Sequence, residues 1–150
     1  MSEKSCPLAC VKNAKLMSIF TAGILAGENY AINLYVLPLL KEVKDKEEKK
    51  KMYLELYRKG KNVALVSTAL LGGTLLYLYK KTQDRGYLCP LSLTLLKVPV
   101  SLCCMNACPE DDGDIDEFLG NWKRWHWVRV ATDCAAFTAI ACCLLYAKKQ

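Results

Sequence analysis

Four long runs of apolar residues, separated by short blocks of charge, set the pattern of this chain. The first goes from about residue 16 to residue 37 and is expected to end at Pro38. Its 22 residues would rise roughly 33 Å as a helix, enough to cross a bilayer. The second, 62–79, carries Gly72-Gly73 near its middle, where another helix can approach closely. The third, about 87–108, has Pro90 in its first turn and Pro99 inside it, which predicts a kink. The fourth covers 125–146. Helices of a soluble core show polar positions every second turn, so runs of this kind predict an all-α, integral membrane four-helix bundle. Residues 1–150 form one multi-pass domain in this reading, with both termini on the same side.

The polar segments complete the picture. Lys41 to Lys61 holds nine Lys/Arg and five acids, with Met52, Tyr53, Leu56 and Tyr57 at helical spacing. That predicts an amphipathic, charged connector helix on the solvent side, between the first and second runs. Lys80 to Gly86 reads as a tight turn. Pro109 to Phe118 contains six acids and reads as a solvated loop; its spacing does not fit a calcium-binding loop.

Hydrophobic residues make up 53 % of the chain and charged ones 24 %, which is possible only because the charges are blocked. The net charge of +6 is spread over loops and ends, where anionic lipid headgroups are its natural partners. No nucleic-acid motif is present. Nine cysteines, an odd number, cannot all pair internally, and there is no Cys-x-x-Cys. Most lie in or beside apolar runs, where cysteine packs as a small hydrophobe, and Cys6 and Cys10 suit acylation. No metal set is expected. Gly23 and Gly27 are spaced for close helix contact, giving a face for homo- or hetero-oligomers.

Candidate chemistry gathers inside the runs. Trp122, His126, Arg129 and Asp133 follow a 4, 3, 4 spacing and share one helix face. Asn29 and Asn33 share a face of the first run, with Glu28 beside them, and Lys97 lies near the centre of the third. Four charges thus remain within the runs: Glu28, Lys97, Arg129 and Asp133, summing to zero. Each costs ~2.5–3.5 kcal/mol at a helix centre, so pairing is expected. The rise per residue puts Glu28, Asn29, Asn33, Lys97, Arg129 and Asp133 in one layer, with His126 and Trp122 at its rim. Such a layer either fixes bundle register as buried salt bridges or lines a polar pocket for a lipophilic molecule. In the second case His126 moves a proton and Arg129 or Lys97 stabilises an anionic oxygen.

The chain resembles the anthrone oxygenase-like family of small four-span membrane proteins. The matching pieces are Ala22-Gly23 through Gly27 with Asn33 and Pro38; Tyr57-Arg58-Lys59-Gly60; Pro99 to Asn106; and Trp122 with Trp125-His126-Trp127-Val128-Arg129. The resemblance implies oxygenation of a reduced polycyclic phenol to a quinone, without metal or organic cofactor. His126 and Arg129 would then be catalytic, with Glu28, Asn29, Asn33, Lys97, Asn106, Trp122 and Asp133 lining the substrate. The competing expectation is a non-catalytic membrane protein or a subunit of a larger membrane complex, with a purely structural charge layer.

Overall fold

The computed structural model describes the backbone over residues 5–101 and 114–146, and side chains from Leu8 onward. The described residues form α1 (Ser5–Ala31), a π turn (Ile32–Val36), α2 (Leu37–Glu42), α3 (Lys46–Thr82), a 3-10 turn (Arg85–Tyr87), α4 (Leu88–Val100) and α5 (Ile115–Tyr146). The all-α class is therefore correct. Residues 102–113, with Asn106 and the first half of the acidic loop, lie outside the described residues.

The expectation that the first helix ends at Pro38 is corrected. Helical backbone continues to Glu42, with Pro38 in the first turn of α2. Within a regular helix its ring would meet the carbonyl of residue 34. The π turn, with its i→i+5 pattern, lies just before it and widens the backbone there.

The charged connector and the second apolar run are one helix. Asp45 caps α3, accepting from the backbone N–H of Glu47 at 2.9 Å and Glu48 at 3.3 Å. Nothing interrupts the helix for 37 residues, about 56 Å. It stops at Gln83, whose left-handed φ of 54° lets its N–H return to the Tyr79 carbonyl.

The fourth helix also starts earlier than expected, at Ile115, so the predicted loop is helical from 115 to 118. The Asp114 carbonyl accepts from Phe118 N–H, and its side chain from Asp116 N–H. Asp116 and Glu117 suit the positive end of the helix. Ile115, Leu119 and Trp122 then recur at i, i+4, i+7 as a buried stripe.

Around the bundle α1 packs on α3 and α5, and α4 packs on the same two. Among the described residues α1 and α4 do not touch, so they stand on a diagonal. Two apolar cores stack along the axis. One joins Ala22 and Leu25 to Leu71, Leu75, Leu78, Tyr87 and Ile140. The other, at the connector end, joins Leu37 and Leu40 to Tyr53, Ile115, Leu119 and Trp122. Tyr53 is its hub, meeting Phe118 and Trp122 edge to face at 5.3 and 5.7 Å.

Leu8–Glu42, Lys46–Thr82 and Ile115–Tyr146 are each long and apolar enough to cross a membrane. Their outer surface fits that use: Phe20, Tyr35, Leu65, Val66 and Leu145 are each more than half exposed. The described part of α4 has 13 residues, about 20 Å.

Ion pairs fasten the connector end. Lys46 reaches Asp114 at 3.0 Å and Lys49 reaches Asp116 at 2.7 Å. Lys49 is buried, although its charge-rich surroundings predict a solvated residue. These pairs place the starts of α3 and α5 side by side. The hydrogen bond from Lys46 holds the Asp114 carboxyl below the usual carboxylate range, helped by the Asp116 N–H. A depressed carboxylate stabilises the fold above its unfolded pKa and stops doing so as pH falls through the folded one. Asp114→Asn should therefore lower the melting temperature slightly at pH 7, and the difference from wild type should shrink and vanish as the pH falls below the usual carboxylate range in a detergent-solubilised thermal melt.

Candidate functional site

α1 and α5 run antiparallel and meet through Asp133. One of its carboxylate oxygens accepts from Asn29 Nδ2 at 2.7 Å. The other takes Lys97 Nζ of α4 at 2.6 Å. All three side chains are buried, Lys97 and Asp133 at 2 % and 3 % exposure. A carboxylate two helices deep thus has a donor on each oxygen, as a buried charge requires. Lys97 enters the interior although both neighbours, Leu96 and Val98, face outward. Ser101 donates its hydroxyl to the Lys97 carbonyl, within the stretch where Pro99 removes an N–H donor from the ladder.

The charge layer expected from sequence is therefore assembled around Asp133. Glu28 is half-buried, and Arg129 lies in the field of Asp133, Glu28 and Tyr57. Arg129 is also engaged within the bundle. Tyr57, which the charge pattern places on the solvent connector, is half-buried because α3 continues into the bundle, and its helical spacing from Tyr53 is the local sign of this.

Moving from Asp133 toward the connector end, the antiparallel register puts Asn33 level with Arg129, and the next turns carry His126 and Trp122. The row from Asp133 to Trp122 covers roughly 16 Å along the axis. Trp122 and His126 are buried and stacked, with ring centroids 4.6 Å apart and planes 19° from parallel. Asn33 is buried in the π turn. Among the described residues, both amide atoms of Asn33, Trp122 Nε1 and His126 Nδ1 have no hydrogen-bond partner. Each buried polar group left in that state costs about 1–3 kcal/mol, so four on facing helices is a concentrated cost. The 4, 3, 4 face predicted for α5 is the inward one. Trp125 and Trp127 face outward, Trp127 edge to face with Tyr30 at 6.1 Å.

Two further expectations take a definite form. Gly23 is half-buried at the edge of the α1–α5 contact, where an added Cβ would sit 3.4 Å from the Phe137 ring, while Gly27 faces open space. Cys10, Cys89, Cys134, Cys142 and Cys143 are free thiols. Among the described residues no group of three His, Cys, Asp or Glu side chains is placed to hold a metal ion. Cys103, Cys104, Asn106 and Cys108 lie outside the described residues.

The layer makes a direct prediction. Removing one partner of a buried pair leaves the other uncompensated, so Lys97→Met or Asp133→Leu alone should destabilise by about 3–5 kcal/mol. The double variant should recover most of that loss in a detergent-solubilised denaturation series, because it leaves no buried charge behind at this pair. Additive losses would show that the pair is not the stabilising unit.

Compared with known proteins, the chain matches no protein family, and no curated protein or solved structure is significantly similar to it.

Proposed function

We propose that the chain is a four-span membrane protein that binds a lipophilic hydroxy- or keto-arene beside His126 and Arg129 and oxidises it with dioxygen. Support for the fourth crossing comes from the chain path. The start of α5 lies against the start of α3, so the segment between Thr82 and Asp114 must return along the bundle, and α4 is its described part.

The observation that carries the binding reading is the row of unsatisfied buried groups. Asn33 offers a donor and an acceptor, Trp122 a donor, and His126 a nitrogen, while the neighbouring Lys97–Asp133–Asn29 cluster is saturated. A ligand with a flat ring and a polar edge satisfies such a row and stacks well against aromatic walls. In this reading Asn33 and Trp122 hold the ligand, and Lys97, Asn29 and Asp133 hold the helices in register. Glu28 balances Arg129.

The sequence resemblance supplies the reaction class. A methylene carbon next to a ring ketone gives up a proton to the His126 imidazole, and the C–H electron pair moves into the enolate. Arg129 stabilises the enolate oxygen. The electron-rich carbon bonds dioxygen and becomes a hydroperoxide as the imidazolium returns its proton. Loss of the second C–H proton with cleavage of the O–O bond leaves a carbonyl and water. The carbon is oxidised by four electrons and dioxygen is reduced by four, so no other reductant enters.

The saturated ion pair favours a second reading, in which the polar layer fixes register and nothing more. Oxygen uptake by the detergent-purified protein with anthrone-type substrates separates the two. His126→Ala should reduce uptake by about 10²–10⁴-fold without unfolding the protein. Asn33→Leu should weaken substrate saturation while raising the melting temperature, because it removes an unsatisfied group. Absence of uptake, together with a gain in stability from both substitutions, would leave the register reading standing.

A further inference from the structure

We infer that the outer surface between α1 and α3, at the end of the bundle away from the connector, is a binding site for one anionic membrane lipid. This rests on the membrane reading above but not on the proposed chemistry. A shallow groove of about 390 Å³ runs there between Ala14 and Met17 of α1 and Ala69, Gly73 and Tyr77 of α3. Its walls are largely apolar, and of the two hydroxyl-bearing residues that line it, Thr74 turns its hydroxyl back to the Leu70 carbonyl at 2.7 Å. Gly73 gives the groove its depth: a Cβ added there would meet nothing within 4 Å.

Charge is concentrated at its outer mouth. Lys80 is seven residues after Gly73, within about 20° of it around α3, and Lys81 follows it. Both are exposed, and neither has an acidic partner among the described residues. This contrasts with the connector end, where Lys46, Lys49 and Lys59 are paired with acids. Tyr77 and Tyr79 place phenols at the same level, the usual depth for aromatic anchors. An apolar trough that opens onto uncompensated lysines fits an occupant with an acyl chain and an anionic head. A soluble anion would use only the mouth, and a neutral lipid only the trough.

The test uses the full chain reconstituted in nanodiscs of mixed phosphatidylglycerol and phosphatidylcholine, followed by release into detergent and native mass spectrometry. The wild type should retain one phosphatidylglycerol in preference to phosphatidylcholine. Lys80→Glu with Lys81→Glu should reduce that retention by about tenfold. Gly73→Leu, which fills open space and so preserves the fold, should reduce it as well, by displacing the chain. Equal retention of both lipids, or no response to either variant, would overturn the site. Loss with the lysine variant but not with Gly73→Leu would reduce it to headgroup attraction, contrary to the inference. Release of the protein from native membranes by alkaline carbonate wash would overturn the membrane reading itself, a separate outcome.

Discussion

The Lys97–Asp133 ion pair is the constraint on which the rest of the arrangement depends. Two opposite charges held 2.6 Å apart and sealed from solvent tolerate little displacement, because separation leaves each one buried and alone. Asn29 extends the constraint to a third helix through the second carboxylate oxygen. Three helices are thereby fixed at one height. The diagonal pair α1 and α4, whose backbones do not approach each other among the described residues, are tied through a single side chain of α5.

Fixing that height determines what lies above and below it. On one side the apolar core around Leu25, Leu71, Leu75 and Ile140 closes the bundle, with the hydroxyls of Ser18, Thr21 and Tyr87 as its few buried polar groups. On the other the interior becomes polar and aromatic, passing through Asn33 and His126 to Trp122 and the Tyr53 cluster. The connector end is then clamped by Lys46 and Lys49 on the start of α5. The molecule is thus organised along its axis: a mainly apolar end, an ionic layer, an unsaturated polar row, and an aromatic cap. The row concentrates buried groups without partners, and a fold keeps such a concentration where it gains something else in return.

Much of this could be read from the residues. Apolar runs gave the helices, since periodicity and length are local properties of the chain. The 4, 3, 4 spacing of Trp122, His126, Arg129 and Asp133 identified the inward face of α5, because a helix forces residues at that spacing onto one side. Charge balance, with a cost for every unpaired group, puts Glu28, Lys97, Arg129 and Asp133 in one layer, but which of them pair is settled only by the packing that brings Lys97 to Asp133. What escaped was tertiary. The continuity of α3 through Gly60 and Lys61 depends on packing at Tyr53 and Tyr57, not on local hydropathy. The start of α5 at Ile115 depends on Asp114 serving as a cap within a segment whose composition reads as loop. Lys49 is buried because Asp116 happens to face it, and a run of lysines gives no sign of which one that will be.

The π turn has a consequence of its own. A 16-membered hydrogen-bonded ring accommodates one residue more than the regular ladder, so residues 32–36 behave as a single-residue insertion absorbed in place. Excising one residue there would let the ladder regularise while the flanking segments kept their phase. Leu37 and Leu40 would stay on the aromatic cap and Asn29 would keep its bond to Asp133. The bulge is thus the place where this helix takes in an extra residue without disturbing an ionic grip at one level or an aromatic one at the next.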